Sequence, residues 1–141
     1  MRRRRVSVSL AVVITMLVGI GPAASARTPE PLSIRIVKGQ VRLDAGSVVV
    51  PFNARCRSPL QSFELDISVL QGTTFGSTVI IQPGVVPCDG RWHRMASRVG
   101  AEVGGTSFLS GSAVVDAFLG GNDPSQGGGD QEATDSVNVT L

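Results

Sequence analysis

The chain has 141 residues, 42% apolar, 4% aromatic and 17% charged, with 17 Gly, 8 Pro, 2 Cys, one His and no Tyr, a size that suits a single domain. Its formal charge is +2, but Arg2, Arg3, Arg4 and Arg5 stand directly before the only long apolar run; past Ala26 the balance is 9 − 11 = −2, with no block of like charges along the chain. That spread gives no electrostatic warrant for a nucleic-acid partner or an acidic membrane, one His cannot make a two-His metal site, and the one Lys, Lys38, completes no phosphate-binding loop.

Residues 1–26 read as a signal peptide. Arg2 to Arg5 form a positive n-region, residues 6–20 an apolar stretch, and Ala24-Ser25-Ala26 a small-residue cleavage site. Gly19, Gly21 and Pro22 would end the apolar helix ahead of the protease. An uncleaved anchor over residues 6–26 is the rival reading, and Sec and twin-arginine export both stay open. No Cys follows the apolar run, so no lipoprotein is indicated. The product is expected outside the cell, without membrane attachment once the leader is removed.

Beyond a linker at residues 27–31, residues 32–141 alternate with period two almost throughout, which predicts an all-β domain. The first strand covers residues 32–37, Gly39 interrupts it, and residues 41–43 lead to a turn at Asp44-Ala45-Gly46. Next, Val48, Val50, Phe52, Ala54 and Cys56 share an inward face, with Val49, Pro51, Asn53 and Arg55 opposite; Pro51 places this strand at a sheet edge or on a bulge. Phe63, Leu65, Ile67 and Val69 alternate with Glu64, Asp66 and Ser68. Residues 71–76 read as a loop, 78–82 as a short strand ended by Pro83-Gly84, and Asp89-Gly90 as a hairpin turn into a strand over residues 91–99. Ala113, Val115, Ala117 and Leu119 form an inward face; residues 120–135, rich in Gly and acid, read as a mobile loop. Val137, Val139 and Leu141 belong to a last strand.

Cys56 and Cys88 are an even pair in a chain bound for an oxidising compartment and are expected to form one disulfide. A redox or metal pair would want a C-x-x-C spacing or further ligands, which are missing from the sequence. Seven or eight short strands with frequent turn signals and one disulfide predict a two-sheet antiparallel sandwich of immunoglobulin-like architecture. Trp92 follows the second cysteine, and without Tyr there is no tyrosine corner, so topology is left open.

The run ending in Ala54-Arg55-Cys56, the amphipathic strand after it, Cys88-Asp89-Gly90-x-x-His93 and the Gly111-Ser112-Ala113-Val114 strand resemble small secreted actinobacterial proteins of unknown function. The resemblance covers roughly residues 32–141 and implies a signal peptide and one two-cysteine sandwich domain. It implies no activity, cofactor or functional residue.

Three constellations could carry chemistry. Asp89 and His93 could join a serine in a hydrolytic triad, although no G-x-S-x-G elbow is present; the structural alternative is a turn capped by Asp89. Trp92, Arg94 and Arg98 share a face if residues 91–99 form a regular strand, with His93, Met95, Ser97 and Val99 behind them. That face is the candidate binding site, unless Arg94 merely stacks on Trp92 or Trp92 is a core residue closing the sheet's end. Asp123, Asp130, Glu132 and Asp135 could offer oxygens to calcium but match no known loop spacing, and Asn138-Val139-Thr140 matches a glycosylation acceptor inside a strand.

The sequence thus predicts a secreted binding or structural module without catalysis, metal or cofactor. Its partner would be an extracellular protein or an envelope polysaccharide. A small hydrolase using His93 and Asp89, and an inhibitor presenting residues 71–76 as a loop, are the alternatives. Oligomeric state is not legible in the sequence.

Overall fold

A computed structural model describes residues 32–141. The signal peptide and linker expected over residues 1–31 lie outside the described residues. The alternating pattern forms β1 (Leu32–Ile36), β2 (Arg42–Asp44), β3 (Ser47–Cys56), β4 (Phe63–Gln71), β5 (Thr74–Ile80), β6 (His93–Val99), β7 (Ser112–Asp123) and β8 (Gly129–Thr140), with 3₁₀ turns at Lys38–Gln40 and Pro124–Gln126.

These strands build two antiparallel sheets. In sheet A, β6 lies along one edge of β3, while β1 and β2 share the other edge end to end. Sheet B runs β5-β4-β7-β8. Matched to immunoglobulin strands, β1, β3 and β6 take the places of A, B and E, and β5, β4, β7 and β8 those of C′, C, F and G, with no D strand. The predicted sandwich is therefore present, with a three-strand-wide sheet on a four-strand one.

The core lies where alternation puts it. Val48, Val50, Phe52, Ala54 and Cys56 of β3, Phe63, Leu65, Ile67 and Val69 of β4, and Ala113, Val115, Ala117 and Leu119 of β7 are all buried. Each of the larger side chains contributes about 1.5–3 kcal/mol by leaving water. Leu60, Val86 and Phe108 join them from the loops. Cys56 and Cys88 are bonded across 32 positions. The bond clips the crossover between β5 and β6 to the end of β3; it does not bridge the two sheet centres as in antibody domains.

Several local expectations are corrected. Pro51 occupies the central strand of sheet A, and the β3–β6 register passes through it without a bulge, Val50↔Ser97, Pro51↔Ala96, Phe52↔Met95. Its carbonyl accepts from Val37 N–H at 2.9 Å, so its donorless nitrogen faces the Val37 carbonyl and the reciprocal ladder bond is not made; that carbonyl accepts instead from Gln40 N–H at 2.9 Å, in the Lys38–Gln40 turn.

Residues 120–135 are not a loop. β7 and β8 pair without interruption out to Asp123↔Gly129. Gly120 and Gly121 serve close packing: a Cβ at Gly120 would meet the Phe118 ring at 2.5 Å, and one at Gly121 the Ser62 carbonyl oxygen at 2.2 Å. Residues 71–76 likewise shrink to a two-residue turn, because β4 and β5 pair as far as Gln71↔Thr74. Asp89-Gly90 makes no hairpin. Gly90 N–H is held by the Cys56 carbonyl at 2.9 Å, and the strand that follows pairs with β3.

Candidate functional site

Strand parity assembles an exposed surface on the outer side of sheet A. The even-numbered residues of β3 point inward, so Asn53 and Arg55 point outward; register then brings Ser33 and Arg35 of β1 beside them. On the other edge Arg94, Ala96 and Arg98 of β6 face outward with them, as does Arg42 of β2. Trp92, one residue before β6, extends this row next to Arg55 and is 40% exposed.

The sequence placed Trp92, Arg94 and Arg98 on one face, and the structure puts them there. The partner expected for the indole is corrected. Arg94 hydrogen-bonds the Gln40 side-chain oxygen instead, while Arg35 and Arg55 hold their guanidinium carbons 5.1 and 5.0 Å from the Trp92 ring centre. Each exposed cation–π contact of this kind contributes about 0.5–1 kcal/mol. Arg94 lacks that reach because the 3₁₀ turn at Lys38–Gln40 supplies it with a nearer acceptor.

Arg55 is further fixed by a 3.1 Å bond to Ser33 Oγ. Arg98 pairs with the Asp44 carboxylate and reaches the Asp44 carbonyl at 3.4 Å. Among the described residues no carboxylate forms an ion pair with Arg35, Arg42, Arg55 or Arg94. Guanidinium N–H edges match carboxylate or phosphate oxygens; Arg35 is exposed, whereas Arg55 has Nη2 on Ser33 and its Nε buried without a hydrogen-bond partner. Arg35 and Arg55 were missed as site residues because only the β1–β3–β6 register brings them to Trp92; their outward parity was the available signal.

The opposite side of the sandwich carries the opposite charge. On the outer face of sheet B lie Glu64 and Asp66 of β4, Asp116 of β7, and Asp130 and Glu132 of β8, with no basic residue among the paired positions. Burial, and then the neighbouring Glu64 charge, push the Asp66 carboxyl above its ordinary pKa. The even charge spacing along the chain does not survive folding. Strand alternation sorts arginines to one face and carboxylates to the other.

The Asp89 and His93 side chains do meet, with Nε2 2.8 Å from Oδ1. Asp89 also accepts the Arg91 N–H at 2.9 Å. The His93 hydrogen bond, then the Arg91 one, hold its carboxyl below the ordinary range. These bonds cap the turn after Cys88. Among the described residues, no serine hydroxyl hydrogen-bonds His93.

The acidic residues considered for calcium diverge. Asp123 is buried and accepts hydrogen bonds from the hydroxyls of Ser58 and Ser125 and from Ser125 N–H. Asp130 and Glu132 face outward on β8, and Asp135 turns across to β1. Among the described residues no group of three potential metal ligands occurs. Residues 71–76 hold a two-residue turn at Gly72 and Thr73 in place of the loop expected there, and Asn138 lies on the outward side of β8. No family model matches the chain, and neither a similar curated protein nor a matching solved structure is found.

Proposed function

We propose that this chain is an exported, non-catalytic module that binds an anionic extracellular partner through the outer face of sheet A. The observation that carries the reading is Trp92 with both Arg35 and Arg55 over its ring on an exposed face, where Arg42 and Arg94 also lack a carboxylate partner among the described residues. Exposed aromatic and arginine side chains dominate binding hot spots, and guanidinium forks recognise carboxylate and phosphate oxygens. Export is supported by the leader-like residues 1–26 and by a disulfide, a bond that persists in oxidising compartments. The resemblance to small secreted actinobacterial proteins points the same way.

The test uses the protein produced with its leader and purified after export, applied to immobilised poly-L-glutamate. Retention that falls with rising salt and is lost in Trp92→Ala and in Arg35→Gln/Arg55→Gln supports the reading. Retention unchanged in those variants, or absent from the parent protein, overturns it. His93→Ala is expected to bind like the parent, since His93 points away from this face.

A further inference from the structure

The two outer faces of the sandwich carry opposite charge. On sheet A, Trp92, Arg35, Arg55 and Arg94 lie at one end, and Arg42 and Arg98 flank the buried Val49 toward the other, with Asp44 paired to Arg98. On sheet B, Glu64, Asp66, Asp130 and Glu132 lie at one end beside the exposed Val79 and Ile81, Asp116 lies in the middle, and Leu70, Phe75 and Val114 lie at the other end. Leu70, Phe75 and Val79 are 45%, 40% and 52% exposed on this face. A cationic face and an anionic face therefore occur back to back on one molecule.

We propose that the anionic partner of sheet A is the outer face of sheet B on a second copy of this chain, so that copies associate head to tail. The inference rests on the binding reading given above and names its partner. Opposed charge patterns of this kind set orientation and accelerate encounter. They also exclude the two like-face pairings: sheet A against sheet A sets arginines against arginines, and sheet B against sheet B sets carboxylates against carboxylates. Because the two surfaces differ, each added copy leaves one cationic and one anionic face free, and the assembly grows as a stack rather than closing as a dimer.

Size sets the strength. The three-strand width of sheet A over about seven residues covers roughly 14 by 23 Å in projection, about two fifths of the ~800 Å² that a standard interface buries on each partner. The association is therefore weak, concentration-dependent and sensitive to salt. Approach of arginines also relieves the unfavourable burial of the Asp66 carboxylate beside Glu64.

Sedimentation velocity on the exported protein tests this, with fluorescence as a second readout, since Trp92 is the sole tryptophan and lies in the contact. The parent protein is expected to form a concentration-dependent series of species at low salt that collapses to monomer in about 0.5 M salt. Arg35→Gln/Arg94→Gln, which weakens the cationic face, and Glu64→Gln/Glu132→Gln, which weakens the anionic one, should each associate at least about tenfold more weakly. Mixed, these variants retain one intact face each and should give a 1:1 complex that grows no further, with a shift in Trp92 emission.

A parent protein that stays monomeric at low salt overturns the proposal. So does association that survives in either variant alone, which would indicate a like-face dimer, or a mixture that forms no complex. Binding to poly-L-glutamate without self-association leaves the anionic-ligand reading standing and removes only the second copy as its partner.

Discussion

Asp135 Oδ2 accepts a 2.7 Å hydrogen bond from the backbone N–H of Ile36, joining the last strand of sheet B to the first strand of sheet A. Val37 N–H bonds to β3, so the Ile36 N–H points the other way, along the free edge of β1. An inward-turned carboxylate at such an edge satisfies a donor and blocks strand addition from another chain. Asp135→Ala is expected to lose about 1.5–3 kcal/mol, as for a hydrogen bond to a charged group. Asp135→Asn, which keeps an acceptor, should lose less. Urea midpoints of the two variants check this order; equal losses would remove the hydrogen bond as the cause.

The β2–β3 turn has Ala45 at φ 49° and Gly46 at φ 78°. Both central residues of this two-residue hairpin thus have positive φ, a conformation that suits Asn-Gly. Alanine there carries a steric cost of about 1 kcal/mol that Asn largely avoids. Ala45→Asn should raise the thermal midpoint, measured by calorimetry, and Ala45→Val should lower it.

Asp66 and Asp89 titrate with opposite signs. The raised folded-state pKa of Asp66 favours the fold below the ordinary value of 3.8, and that benefit is lost as pH rises through the raised value. At neutral pH the charged group therefore costs stability, and Asp66→Asn should unfold at higher urea than the parent near pH 7. For Asp89 the lowered pKa stabilises the fold above 3.8, and the contribution is lost as pH falls through the depressed value. Asp89→Asn should accordingly unfold at lower urea near pH 7, with the difference fading in acid. Urea titrations at several pH values, in high salt to suppress association, read both signs.

Two glycines of the β7–β8 hairpin should respond oppositely to alanine. A Cβ at Gly121 would stand 2.2 Å from the Ser62 backbone oxygen, whereas at Gly129 its nearest neighbour is the Gln131 side-chain nitrogen at 3.9 Å. Gly121→Ala should cost about 3 kcal/mol or more through forced backbone shifts. Gly129→Ala should be neutral or slightly stabilising, because it restricts the unfolded chain. Denaturant unfolding of both distinguishes packing from flexibility as the reason for glycine here.

Removing the disulfide should cost about 3–4 kcal/mol by the loop it closes, and it should also release the segment that carries Trp92. Cys56→Ala/Cys88→Ala is therefore expected to show both a lower urea midpoint and a more solvent-exposed tryptophan emission while still folded. An unchanged emission spectrum would mean that Arg35 and Arg55 alone fix the indole.

Much of this fold is legible one strand at a time. The inward faces of β3, β4 and β7 follow directly from alternation, and the interruption at Gly39 marks the junction of β1 with β2. What alternation cannot supply is the lateral order of strands. Pro51 reads as an edge residue until Gln40 N–H is seen to take the Val37 carbonyl opposite it, and Gly120 and Gly121 read as loop until Phe118 and the Ser62 carbonyl occupy their Cβ positions. The candidate site has the same dependence. Trp92, Arg94 and Arg98 share one strand's parity and are found locally, while Arg35 and Arg55 come from β1 and β3 and meet Trp92 only through register. The sorting of charge between faces is likewise absent from the linear order, where arginines and carboxylates interleave.

The position of the disulfide gives it a kinetic meaning. Pairing of β3 with β6 starts at Ala54↔His93, beside the Cys56–Cys88 bond. Along the chain these two residues are about 40 positions apart, but through the bond the path is about 7 steps, which lowers the entropy of bringing them together by roughly 1.5 kcal/mol. Oxidation thus turns the longest-range pairing of sheet A into a covalent hairpin that zips from its closed end, and the whole β4–β5 unit is carried inside the ring.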